Sequence, residues 1–135
     1  MKLVTLLEDT ALAPGFRAAR GLSLYVETPR HKILFDAGPG EEFAANAAAL
    51  GVDLGAVDTA ILSHGHSDNG DGLAAFFAAN AHAPVYVRPS AFGGHYARTP
   101  EGLSYVGLSP ALEAYRARFV PAEGVYAIDE ELTLF

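Results

Sequence analysis

Residues 61–73 read ILSHGHSDNGDGL. An apolar run that begins in DTAILS (58–63) ends in two histidines two positions apart, followed by an aspartate, an asparagine and glycines. In a chain that stays extended past the run, side chains two apart point the same way. His64 and His66 then converge on one point. Asp68 lies on the same side if the extension continues, or turns toward it where the chain bends. Glycines at 65, 70 and 72 permit backbone conformations that other residues resist. Spacing alone leaves two readings open: a metal site, or a polar turn in which Asp68, Asn69 or Asp71 caps the helix that follows.

Working outward, the rest of the chain limits the choice. With 135 residues it is long enough for one domain and short for two. Half of the residues are hydrophobic and 19% are charged, which predicts a globular chain rather than a disordered one. No cysteine is present, so disulfides and thiolate metal sites are excluded and a metal must use imidazole and carboxylate ligands. Such ligands suit zinc, iron or manganese. The formal charge of −7 argues against nucleic acid and anionic membrane as partners. No apolar run approaches the roughly 20 residues of a membrane span. Glu8 and Asp9 interrupt the N-terminal run early, which argues against a secretory signal. The expected setting is soluble and cytoplasmic.

Lys2 to Leu7 reads as a strand, 11–21 as a loop, and LSLYVE (22–27) with KILF (32–35) as a hairpin turned by TPRH. DAGPG then leads into a helix from Glu41 to Leu50, with acidic residues in its first turn and Gly51 just past its end. Residues 53–57 connect to a buried strand at 58–63. A second helix is expected from about Gly72 to Asn80 and another strand at 84–88. Residues 90–109 resist assignment, and Ser109 with Pro110 predicts a short helix over 110–117. Apolar stretches at 125–128 and 132–135 close the chain. The last, LTLF, has no polar residue behind it, which predicts a sheet that needs covering from elsewhere. Strands alternating with helices after residue 30 indicate α/β layers.

ILSHGHSDNGDGL resembles the HxHxDH motif of the metallo-β-lactamase fold superfamily, and GLSLYVETPRHKILFDAGPG is similar to that family's hairpin and strand-end Asp-x-Gly. The branch it resembles most contains metallohydrolases related to the dihydropterin-type phosphate synthase. The resemblance implies an α/β fold. It corresponds to half of an αββα sandwich, a mixed sheet with helices on one face, with residues 1–135 as one domain equivalent to the N-terminal half only. It implies that His64 and His66 ligate a divalent metal, zinc foremost with iron or manganese as alternatives. Asp68 matches a ligand of a second metal that is often close to the attacking water, and it carries the catalytic role. Asp36 matches a carboxylate that orients an imidazole from behind.

The pattern breaks at Asn69, where the family has histidine, and at Asp71, where relatives have glycine. A carboxamide is a poor ligand for these metals, and Asp71 is expected to cap the second helix rather than to replace the lost ligand. Arg20 stands where relatives carry histidine. Of the remaining histidines, His31, His82 and His95 are expected to serve surface or packing roles, although His95 lies in a glycine-rich loop able to reach the site.

Two functions follow. One is a hydrolase in which a metal-activated water attacks an ester-type small molecule. The other is a non-catalytic half-domain that forms a homo-oligomer or pairs with a complementing second half, because a half-sandwich leaves an apolar sheet face to bury. An anion site at the second helix start is disfavoured by Asp68 and Asp71.

Overall fold

The computed structural model describes residues 1–135. Ten strands are present: β1 (Lys2–Leu7), β2 (Ser23–Glu27), β3 (Lys32–Phe35), β4 (Thr59–Leu62), β5 (Val85–Val87), β6 (Tyr96–Thr99), β7 (Gly102–Tyr105), β8 (Phe119–Pro121), β9 (Tyr126–Ala127) and β10 (Thr133–Leu134). Three α-helices are interspersed: α1 (Glu42–Ala49), α2 (Ser67–Gly70) and α3 (Leu73–Ala79). The main sheet has the order β1-β2-β3-β4-β5-β8. Its first three strands are antiparallel, and β3, β4, β5 and β8 run parallel. The sheet is therefore mixed, as the sequence predicts.

Alternation along the strands assigns the two faces. Tyr25, Leu34, Ala60 and Val85 are neighbours across the ladder and are buried. They share one core cluster with Phe43 and Ala47 of α1 and Leu73, Phe76 and Phe77 of α3. The helices thus cover one face. On the other, Phe35, Ile61 and Tyr86 remain half-buried and line a groove of about 370 Å³ with Leu134 and Phe135. The alanines of α1 let it lie close to the sheet, and Gly51 (φ +70°) ends it in a left-handed turn that a side chain would strain.

The second helix runs where the sequence places it, from its cap at Gly72 to its cap at Asn80, and the separate single turn of α2 precedes it. Two local expectations are corrected. Asp71 does not cap α3, because its Oδ1 accepts from Ser109 N at 2.7 Å and anchors a distant loop instead. Residues 110–118 form a 3₁₀ helix interrupted at Tyr115, although Ser109 Oγ does accept from Ala111 N. The sequence reading also missed β8, a strand of only three residues, and the β6–β7 hairpin in the unassigned stretch.

The β9–β10 hairpin is tied down by His31, whose role is more specific than packing. Its Nδ1 lies 2.9 Å from Asp58 Oδ1 and its Nε2 2.8 Å from Asp129 Oδ2. Arg30 adds a contact of 3.4 Å to Asp129. Hydrogen bonds to the two carboxylates raise the pKa of His31 above its ordinary value. Asp129 is lowered to about 2, by backbone donors first and then by His31. Asp58 is lowered by hydrogen bonds from Lys32 N and His31, which outweigh burial. The histidine's share is therefore complete below its unfolded pKa of about 6.5 and is lost as pH rises through the raised folded value. The carboxylates' share is present above about pH 4 and is lost as pH falls through their lowered values. Amide exchange in 126–134 should accelerate in His31→Gln at pH 6, and the difference from wild type should shrink as pH rises through the raised pKa of His31. Equal protection at pH 6 would remove the clamp from the account.

No helix is long and apolar enough to cross a membrane.

Candidate metal centre

The parallel strands β3, β4 and β5 end at one edge of the sheet, where open α/β sheets bind ligands. Asp36 follows β3, Ser63 to His66 follow β4, and Arg88 follows β5. At Asp36 the backbone leaves the ladder with φ +55°, a region that aspartate tolerates better than most residues. The consequence is a substitution of partners. Ser63 N, the next donor along β4, is met by Asp36 Oδ1 at 2.8 Å, and the Asp36 carbonyl accepts from Ser23 Oγ at 2.8 Å.

Asp36 reaches His64 through Ser63. Asp36 Oδ2 lies 2.6 Å from Ser63 Oγ, which is 2.7 Å from His64 Nδ1. An ionised carboxylate can only accept, so the single serine proton goes to Asp36 and the serine oxygen accepts from Nδ1–H. This arrangement leaves His64 Nε2 as a bare lone pair. Burial pushes the Asp36 carboxyl above the ordinary range, against the two Ser63 hydrogen bonds that pull it down. Sequence reasoning placed Asp36 behind an imidazole but missed Ser63. The Asp36–Ser63 contact depends on the parallel register of β3 on β4, with Phe35 opposite Ile61, which the sequence does not reveal.

His66 is extended (φ −94°, ψ 143°), and its ring centroid lies 4.6 Å from that of His64. Ligand atoms of His64, His66 and Asp68 all fall within 4.8 Å of one another. Two neutral imidazoles and a carboxylate at that spacing suit a borderline divalent cation. Asp68 is supplied by α2, the turn that follows His66.

Asn69 is oriented by its surroundings. Its Oδ1 accepts from Leu22 N at 3.0 Å, a donor that only the oxygen can satisfy. The amide nitrogen therefore faces the site, 3.2 Å from Asp68 Oδ1 and 3.4 Å from His64 Nε2. It offers protons, not a lone pair. Arg20 Nε lies 3.4 Å from Asp68 Oδ2, on an exposed side chain. Asp71 stands apart, held by Ser109. His82 is exposed, with its amide on Asn80 Oδ1.

Gly65 makes the turn possible. A Cβ there would meet Ala91 O at 2.1 Å and Ala91 Cα at 2.7 Å, both backbone atoms that cannot swing aside. Gly65→Ala should therefore destabilise the fold by about 1–3 kcal/mol, measured by denaturant unfolding. An unchanged midpoint would mean that the 88–95 loop does not pack where the structure places it.

Comparison with known proteins bears on the fold that carries these residues. A family model described as the metallo-beta-lactamase superfamily matches residues 17–134. An uncharacterized protein of Methanocaldococcus jannaschii is 28% identical over 134 residues, which span 96% of this chain and 51% of the relative. The 7,8-dihydropterin-6-methyl-4-(beta-D-ribofuranosyl)-aminobenzene-5'-phosphate synthase of the same organism is 32% identical over 108 residues, 75% of this chain and 37% of the relative. The crystal structure of Tm1679, a metal-dependent hydrolase of the beta-lactamase superfamily, aligns with a TM-score of 0.73 at 24% identity. It covers 97% of this chain and 46% of that one. The Rm3 metallo-beta-lactamase aligns with a TM-score of 0.55 at 23% identity, over 81% of this chain and 42% of that one. This chain thus spans about half the length of these relatives, or less.

Proposed function

The chain belongs to the metallo-β-lactamase superfamily, and on that premise we propose that it carries the metal-binding half of a hydrolase acting on ester-type substrates. The observation that supports this reading best is the mutual approach of His64, His66 and Asp68 at the strand ends, within 4.8 Å. These three would hold a divalent cation, zinc foremost, with iron or manganese as alternatives. Such a cation supplies Lewis acidity toward an ester-type oxygen and makes water a nucleophile near neutral pH.

The chain's own groups divide the remaining work. The Asp36–Ser63 pair holds His64 in the tautomer with Nε2 free. Asp68 orients water and takes its proton. The Asn69 amide and the Arg20 guanidinium converge on Asp68, fix its carboxylate and offer donors to developing negative charge. Arg20 is so exposed that its pairing contributes little to stability, so its use lies in charge placement.

The test is hydrolysis of phosphoester and thioester panels by zinc-loaded chain, alone and mixed with a polypeptide equivalent to the remaining half of a relative. Turnover that falls at least about 100-fold in Asp68→Asn supports the reading. Turnover insensitive to Asp68→Asn assigns the chemistry elsewhere.

The open sheet face favours a second reading, in which the chain self-associates or pairs with a complementing half. Phe35, Ile61 and Tyr86 line the apolar groove of about 370 Å³ on that face. Sedimentation equilibrium should then show a dimer that Ile61→Asp dissolves. A monomer at high micromolar concentration, with no gain on adding the second half, removes this reading.

A further inference from the structure

We propose that His95 is a third imidazole of the metal centre, so that His64, His66 and His95 form the face that receives one divalent cation. This rests on the metal-binding reading above and adds to it a ligand and a stoichiometry. The His95 ring centroid lies 5.5 Å from that of His66, at an interplanar angle of 82°. The His64–His66 pair stands at 4.6 Å and 77°. Imidazoles that share a tetrahedral zinc at about 2 Å have centroids about 5 Å apart. The two observed spacings bracket that value.

The protonation of His95 suits the role. Its Nε2 is 3.1 Å from the Ser90 carbonyl, which can only accept, so Nε2 carries the proton and Nδ1 keeps its lone pair. Ligating histidines commonly donate their other N–H to a backbone carbonyl in this way.

The backbone that carries His95 is laced to the turn that carries His66. Ala91 O packs against Gly65 where no Cβ would fit. Val106 N donates to His95 O at 2.9 Å, Ser67 N donates to Val106 O at 2.9 Å, and His66 bridges to Gly107. Both histidines are thereby joined to the same 106–107 segment and held in reach of each other. His95 lies outside the trio whose ligand atoms fall within 4.8 Å. Exposed Gly93 and Gly94 just before it give the backbone the freedom to bring the ring onto the trio.

One cation is expected rather than two. The Asp68 side of the site faces the Asn69 amide protons and the Arg20 guanidinium, and both repel a second cation. Three neutral nitrogens on one side and a donor-flanked carboxylate on the other describe a mononuclear centre.

The experiment is calorimetric zinc titration of the chelator-treated chain, with cobalt absorption as a geometric readout. Wild type, His95→Ala, His95→Gln and His64→Ala are compared, and circular dichroism checks folding. Wild type should bind one equivalent. Both His95 variants should bind more than about tenfold more weakly and lose the intense visible bands of four-coordinate cobalt. Wild-type affinity and an unchanged cobalt spectrum in both His95 variants, with weak binding in His64→Ala, would overturn the role of His95 and leave the metal site standing. Two equivalents in wild type would overturn the single-cation assignment. Binding unaffected by His64→Ala, or absent in wild type, would overturn the metal reading and this inference together.

Discussion

Asp36→Asn should lower the affinity for zinc by roughly 10–100-fold while the chain stays folded. The reason is a reversed hydrogen bond. In the native site the carboxylate takes the serine proton, the serine oxygen takes the proton of His64 Nδ1, and Nε2 is left free to ligate. An asparagine would still accept from Ser63 N through its oxygen and would present its amide nitrogen to Ser63 Oγ. Serine then accepts from residue 36 and donates to His64 Nδ1, which moves the imidazole proton to Nε2, the ligating atom. Folding should survive for two reasons. Asparagine tolerates the left-handed backbone at φ +55° as aspartate does, and it removes the carboxylate whose burial pushes the Asp36 pKa up. Zinc titration with unfolding controls tests this, and nitrogen-15 shifts of His64 report the tautomer directly. Unchanged affinity with an unchanged tautomer would dismiss the Asp36–Ser63–His64 relay.

The second large effect is expected from replacing His64 and His66 together with alanine. Cation binding and any metal-dependent ester hydrolysis should fall to background. Stability of the metal-free chain should move by no more than about 0.5 kcal/mol. His64 is exposed and His66 half-buried, and neither belongs to the core built on Phe43, Leu73 and Phe76. A fall in activity without a fall in stability separates a site from a structural element. Should the metal-free double variant unfold with a clearly lower midpoint, these histidines hold the turn together rather than hold a metal.

Much of the fold was legible because local signals agreed. KILF followed by Asp-x-Gly, the acidic start and glycine stop of α1, and the apolar run before His64 each point to the observed element. The β8 strand was not legible, since three residues pair only because β5 is already in place. At the site, the two histidines and Asp68 were readable from spacing and resemblance. The direction of Asn69 was not: it depends on the Leu22 amide, delivered from 47 residues earlier by Gly21 with φ +124°. Asp71 was misread for a similar reason, because its partner Ser109 is remote in sequence and the choice between cap and anchor is made by the tertiary fold. His31 shows the same limit, since it sits in no ligand phrase and takes its partners Asp58 and Asp129 from segments far along the chain.

The most direct measurement is the metal content per chain of the purified wild-type protein by elemental mass spectrometry, after dialysis against a weak chelator. The account predicts close to one equivalent of a single divalent metal, zinc foremost, in a folded chain. A folded chain that retains no zinc, iron or manganese, and takes up none when they are supplied, would contradict it.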